Sequence, residues 1–314
     1  MTILFLSGED VTRCAIGTAE VLAAVAAAFR DKADGMARTL PGVAVAAGPG
    51  TFHAKGGIVG RYAALKWFGY HPANRDGERP AYTPLVLLNE VGTGRPLAVI
   101  DGGWITAVRT AAISTVAAMH LAAPPVRRVG FVACGAQAYA HLDALGTVFD
   151  LESVVAFSRR RSTAEAFAAH ASGLGIGAAA VDDPREAVCD ADVIVTSVPR
   201  RTAGGGFLDV GWTRPGAFIA MPDLGHGWRR ATLASLDLVV TDDLDQGGGA
   251  SGFNCDRPVT LDLPSLLSNA ALGRREPAER IGFLFSGTGL ADAAVAALVH
   301  ERAQTLGFGR KQPM

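Results

Sequence analysis

From Pro125 onward the chain repeats one pattern: a short apolar run, a turn, and an alanine-rich stretch of helical length. The apolar runs fall at 128–133, 153–157, 193–198, 218–221 and 238–241, with helical stretches at 136–145 and 162–172 between the first of them. Apolar runs without polar alternation belong to strands buried on both faces. Strands of that kind, joined by helices, assemble into a parallel sheet of βαβ units. The pattern predicts an α/β fold whose parallel-sheet domain spans 122–284.

The first third reads differently. Segments 40–47 and 62–70 carry β-type runs, and 83–89 and 95–101 flank the turn Val91-Gly92-Thr93-Gly94, which predicts a hairpin. Thr106 offers a hydroxyl cap for a helix running through Ala111, Ala112 and Ala117 to Leu121, stopped by Pro124-Pro125. Together these predict an α+β domain over 1–121. A closing helix, 290–304, follows Gly287-Thr288-Gly289, and segment 285–314 is expected to pack back on that first domain.

Composition narrows the class. With 314 residues, 49% hydrophobic and 19% charged, the chain can bury a large core, which excludes a disordered protein. Lys and Arg total 29 against 30 acids, so the basic excess of a general nucleic-acid binder is missing. Cys14, Cys134, Cys189 and Cys255 are scattered without a CxxC pair, which supports neither a disulfide framework nor a zinc site. The apolar stretch 16–29 contains Glu20 and is too short to span a bilayer. The expectation is a soluble cytoplasmic protein without a bound metal.

The first strand of the parallel domain, Val129-Gly130-Phe131-Val132, leads through Ala133-Cys134-Gly135 into a helix that opens with Ala136-Gln137-Ala138. A dinucleotide pyrophosphate sits at this place, on the amides of a helix N-terminus. The glycine pattern is incomplete: Ala133 stands where the first glycine belongs, and Gly135 remains. The second strand ends in Ser158-Arg159-Arg160-Arg161, where a free ribose 2′-hydroxyl would call for an acid. A hydroxyl and guanidiniums suit a 2′-phosphate instead, so NADP is favoured, with NAD possible. The expected cofactor set is Thr110, Gly135, Ala136, Gln137, Ser158, Arg159, Arg160, Ser197 and Val198.

Two segments of the first domain hold cations in apolar surroundings. Lys66 lies in Ala64-Leu65-Lys66-Trp67-Phe68, and Arg109 in the early helix Ile105-Thr106-Ala107-Val108-Arg109-Thr110. A lysine in an apolar strand is costly unless it meets an anion. Arg38 is a third cation nearby in sequence. Each alone is also what an ordinary surface cation looks like; beside a dinucleotide domain, the three together suit a substrate carboxylate.

These residues resemble the ornithine cyclodeaminase/mu-crystallin family. The likeness runs through Lys66 with His71-Pro72-Ala73-Asn74, Thr93-Gly94-Arg95-Pro96-Leu97-Ala98, Ile105 to Ala112 and Cys134-Gly135-Ala136-Gln137, ending in Ser286-Gly287-Thr288-Gly289-Leu290-Ala291. The resemblance implies a Rossmann-type cofactor domain and an α+β substrate and dimerisation domain, a homodimer, and chemistry on α-amino or α-imino acids. By position, Lys66, Arg109 and Arg38 match the family's carboxylate-binding residues. Asp223, in Met221-Pro222-Asp223-Leu224-Gly225, matches its acid/base aspartate, which makes Lys66 and Asp223 the candidate catalytic residues. The cyclodeaminases carry a longer loop with Pro-Gly-Lys after that aspartate; here it reads His226-Gly227-Trp228-Arg229.

The function expected is therefore an NADP-dependent imino-acid reductase of the ketimine or pyrroline-2-carboxylate type. Ornithine cyclodeaminase is the alternative, followed by an alanine or opine-type dehydrogenase and a non-catalytic ligand binder. The partners expected are a small amino or imino acid and a second copy of the chain, with no nucleic acid and no membrane. The glycine-rich stretch 245–252 reads equally as a lid and as a linker.

Overall fold

The computed structural model describes residues 2–76, 79–199, 205–246 and 253–314. In chain order the elements are β1 (Thr2–Leu6), α1 (Gly8–Arg13), α2 (Thr18–Ala33), β2 (Arg38–Ala47), β3 (Gly50–Val59), β4 (Tyr62–Tyr70), β5 (Tyr82–Glu90), β6 (Pro96–Asp101) and α3 (Gly103–Leu121). Next come β7 (Arg128–Val132), α4 (Ala136–Val148), β8 (Ser153–Phe157), α5 (Arg161–Gly173), β9 (Gly177–Val181), β10 (Val193–Thr196) and β11 (Phe218–Met221). The last are α6 (Arg230–Leu233), β12 (Leu238–Thr241), β13 (Leu261–Asp262), α7 (Leu263–Ser268), β14 (Ile281–Leu284), α8 (Gly289–Leu306) and β15 (Arg310–Pro313). Two compact units result: Met1–Arg109 with Asp245–Gly247 and Thr288–Met314, and Thr110–Leu244 with Gly248–Gly287.

The first unit is built on a seven-stranded sheet in the order β15-β1-β6-β5-β4-β3-β2, antiparallel except between β1 and β6. Period-two alternation gives β4 a buried face of Tyr62, Ala64, Lys66 and Phe68, with Leu65 and Trp67 exposed between them. The sequence pattern assigns no strand between 47 and 62, yet β3 lies there and pairs with both neighbours. His53, Lys55 and the glycines at 56 and 57 hide its periodicity.

Helix α8 covers the buried face of this sheet. A Cβ on Gly57 would come within 2.7 Å of Leu290 Cα, and one on Gly289 within 2.4 Å of the Gly56 nitrogen. Glycine at both positions is what lets the start of α8 rest directly on β3. Further along, the Tyr62 hydroxyl on β4 donates to Glu301 on α8 at 2.7 Å.

The second unit contains an all-parallel eight-stranded sheet in the order β13-β12-β14-β11-β10-β7-β8-β9. From β7 the chain winds outward through β8 and β9, then returns to β10 on the other side of β7. That reversal is the topological switch point of a doubly wound Rossmann-type fold. Both faces are packed: Phe131 meets Phe167 of α5 edge to face at 4.8 Å, and Ile194, Ile219 and Trp228 are fully buried on one side.

Two details differ from the sequence expectation. Helix α3 starts at Gly103, whose amide donates to Asp101 Oδ1 at 2.9 Å, so Thr106 is not its cap and sits one turn inside. The division between the units falls within α3, at Arg109/Thr110, where the sequence suggested 121. The second half of α3 is tied into the second unit: His141 Nε2 meets the Ser114 hydroxyl at 3.0 Å, and Arg274 Nε donates to the Leu121 carbonyl at 2.8 Å. No helix among the described residues is long and apolar enough to cross a membrane. Residues 247–252 of the glycine-rich stretch lie outside the described residues.

Candidate active site

In the first unit, three elements bring charge to one buried point. Lys66 comes from the inner face of β4, Arg109 from α3 and Asp292 from the first turn of α8. Lys66 Nζ donates to Asp292 Oδ1 at 2.7 Å, and Arg109 Nε donates to the same oxygen at 2.9 Å. Lys66 is fully buried, and Arg109 and Asp292 are nearly so. Burial, reinforced by the Arg109 charge, pushes the Lys66 ammonium down to about 7 against the opposing pull of Asp292. The other carboxylate oxygen, Asp292 Oδ2, is buried without a hydrogen-bond partner.

Aromatic side chains of the same sheet face surround this point. The Phe68 ring lies 5.6 Å from Lys66 Nζ, packs on Tyr82 at 4.7 Å and stacks on His53 at 4.7 Å. Burial raises the Tyr82 phenol well above its ordinary value, with Arg109 pulling the other way; the phenol is bonded to the Thr106 hydroxyl. The phenol therefore stays protonated throughout the working range.

Arg38 does not join this group, which corrects the sequence expectation. It opens β2 as an exposed residue in register with Ile58. Gly57, one residue away, faces α8, so Ile58 and Arg38 share the opposite face of the sheet. The third charged group beside Lys66 and Arg109 is Asp292, which the sequence reading missed. The signal was present: a lone carboxylate in the apolar run Leu290-Ala291-Asp292-Ala293-Ala294-Val295 faces the same desolvation cost that marks Lys66.

In the second unit, the remaining expected residues lie at strand ends on one edge of the parallel sheet. Ala133 to Gln137 follow β7, Ser158 to Arg160 follow β8, Ser197 and Val198 follow β10, and Asp223 follows β11. Thr110 is the exception, buried within α3. Asp223 is held from four sides: the Thr196 hydroxyl and the Gly225 amide donate to Oδ1 at 3.0 and 3.1 Å, and the Val198 and Gly227 amides to Oδ2 at 3.2 and 3.3 Å. Its burial outweighs these donors and pushes the carboxyl up to about 7. Leu224 follows with φ 59, a left-handed conformation unusual for leucine.

The switch point fits a dinucleotide. Gly135 caps α4 with no side-chain bond to the helix amides, and a Cβ placed there would meet nothing. Free amides at a helix start, with open space before them, form an anion site. The Gln137 Oε1 atom is buried there without a partner. The Ser158 hydroxyl accepts the Cys134 amide at 2.8 Å, and the Ser197 hydroxyl donates to the Ala133 carbonyl at 2.8 Å, so both fix the turn. Ala133 itself has φ 71, the left-handed conformation that a glycine would adopt freely. Arg159 and Arg160 are exposed beyond β8 with no ion pair among the described residues, whereas Arg161 is committed to Glu165 and Asp182. Val198 uses its amide on Asp223, and its side chain packs against the hydrophobic core of the second unit.

Comparison with known proteins gives a consistent result. The profile of the ornithine cyclodeaminase/mu-crystallin family matches residues 3–306. An alanine dehydrogenase of Archaeoglobus fulgidus is 34% identical over 323 residues, covering 99% of this chain and 98% of that protein. A Δ1-pyrroline-2-carboxylate reductase of Bacillus cereus is 29% identical, covering 76% of this chain and 77% of its own length. Among solved structures, an archaeal alanine dehydrogenase dimer with bound NAD superposes with a TM-score of 0.89 at 32% identity over the full length of both chains.

Proposed function

The chain belongs to the ornithine cyclodeaminase/mu-crystallin family, and within it we propose an NAD(P)-dependent reductase of α-imino acids that prefers NADP. The observation that carries this reading is the buried pair Lys66 and Arg109, two cations that share the single carboxylate of Asp292 and so leave one positive charge in excess for an anionic ligand. A substrate carboxylate is that ligand. The nicotinamide group, when bound at the β7–β10 switch point, supplies or accepts the hydride.

The chain's own residues supply the rest. Arg109 and Lys66 hold the carboxylate and fix the α-carbon in one orientation. Asp223, neutral below about 7, gives a proton to the substrate nitrogen as the electrons of the C=N bond move onto it. The amides opening α4 hold the pyrophosphate, and Arg159 and Arg160 meet the 2′-phosphate. Alanine dehydrogenase is the second reading, favoured by the 34% identical relative.

The outer face of the first sheet supports a homodimer as the working form. Val43, Phe52, Leu65, Trp67, Leu85 and Leu87 are exposed on one continuous side of β2 to β5. A contiguous apolar patch of that kind marks an interface. The archaeal relative of known structure is itself described as a dimer.

Replacing Lys66 or Arg109 with Ala tests the assignment. Turnover should fall by at least about a hundredfold while NADPH still binds, because the cations position substrate and not cofactor. Unchanged turnover in both variants would refute it.

A further inference from the structure

The three side chains at the buried point of the first unit carry two positive charges and one negative, and their hydrogen bonds are lopsided. Both cations donate to Asp292 Oδ1, while Oδ2 has none. A carboxylate offers about four acceptor positions across its two oxygens. A buried acceptor without a donor is a standing cost that a ligand can remove. The group therefore asks for two things at adjacent positions: a further anion for the cations and an N–H donor for Oδ2. An α-amino or α-iminium acid carries both on neighbouring atoms.

We propose that Asp292 is a specificity-determining residue that reads the substrate nitrogen: Oδ2 accepts an N–H while the substrate carboxylate lies on Lys66 and Arg109. This rests on the carboxylate reading of Lys66 and Arg109 given above. A 2-oxo acid would set its carbonyl oxygen against Oδ2, acceptor against acceptor, and a plain carboxylate would leave Oδ2 empty. The site thus selects molecules whose nitrogen is already in place. The class of reaction feeding it is one that delivers a preformed cyclic ketimine or amino acid. In reduction, the iminium N–H stays on Asp292. Hydride adds to the α-carbon, and the C=N π pair becomes the lone pair of the neutral amine.

Titration calorimetry on the full chain saturated with NADPH tests this without turnover. The probes are proline, tetrahydrofuran-2-carboxylate and cyclopentanecarboxylate, which share ring size and carboxylate, together with alanine and propanoate. Wild type is expected to bind each amine at least about tenfold more tightly than its oxygen or carbon counterparts, the discrimination expected of a charged hydrogen bond. Asp292→Asn should bring the ratio to within about twofold. Equal binding of the amine and its counterparts by wild type overturns the proposal, even if the variant fails to fold. A ratio unchanged in Asp292→Asn overturns it too, and a uniform loss across all five probes would mark Asp292 as a counter-ion only. Arg109→Ala separates the two readings. If that variant still binds cyclopentanecarboxylate as wild type does, or if wild type binds none of the probes, the carboxylate site is refuted and the nitrogen proposal falls with it.

Discussion

At the scale of single residues, the proposed chemistry rests on two buried ionisable groups, which burial pushes in opposite directions to about 7. Asp223 is raised to about 7, so it is a proton donor below that pH and a carboxylate above it. Lys66 is lowered to about 7, so it is cationic below that pH and a neutral amine above it. Both forms needed for reduction, protonated Asp223 and charged Lys66, prevail below about 7. Reductive kcat/KM should therefore fall as pH rises through that value, while amine oxidation, which needs the Asp223 carboxylate together with charged Lys66, should peak near it. A reductive rate that climbs from pH 6 to 9 would contradict the assignment. The stability signs are opposite: raised Asp223 favours the fold below its unfolded value near 3.8 and loses that contribution as pH rises through about 7, whereas lowered Lys66 contributes fully above 10.5 and loses it as pH falls through about 7. Asp223→Asn keeps the volume and removes the acid, and kcat should drop by roughly a hundredfold or more. Lys66 and Arg109 stand out in the sequence because a charged residue in an apolar run announces its own cost, whereas Asp223 is picked out only by the family resemblance. Asp292 carries the same signal but sits in a helix whose other residues read as plain core. Arg38 was misplaced because sequence proximity says nothing of which sheet face a side chain takes; that depends on register.

At the scale of elements, the parallel sheet was readable and the mixed sheet only in part. Strands such as Val193–Thr196 and Phe218–Met221 are apolar throughout, so burial alone identifies them. Strand β3 and the charged edge strand β15 take their identity from pairing partners, which local sequence does not contain. The β7–α4 turn shows the opposite case, a sequence departure with a visible structural consequence. Ala133, at the position of the missing glycine, is forced to φ 71. The left-handed conformation costs a residue with a Cβ about 1–2 kcal/mol, partly offset in a glycine by its greater unfolded-chain freedom. Ala133→Gly should accordingly raise stability by about 0.5–1 kcal/mol, read as a higher midpoint in thermal unfolding. A lower midpoint would mean that the turn is not strained there.

At the scale of the whole molecule, the proposed function gives the two faces of the first unit's sheet different tasks, substrate binding on one and association on the other. Lys66 and Phe68 point to the side covered by α8, and Leu65 and Trp67 to the side left open. Trp67, exposed to 48% in the single chain, lies amid that open patch. Trp67→Glu should therefore turn a dimer into a monomer in light scattering after gel filtration, and an unchanged mass would locate the interface elsewhere. The central claim concerns the reaction itself, and one measurement reaches it most directly. Purified protein is given NADPH or NADH with Δ1-pyrroline-2-carboxylate, Δ1-piperideine-2-carboxylate, or pyruvate with ammonia, and nicotinamide absorbance is followed in time. The account predicts consumption of NADPH in preference to NADH with a cyclic imine, and little with pyruvate and ammonia. Turnover confined to pyruvate and ammonia, or no oxidation of either cofactor with any imine, would contradict it.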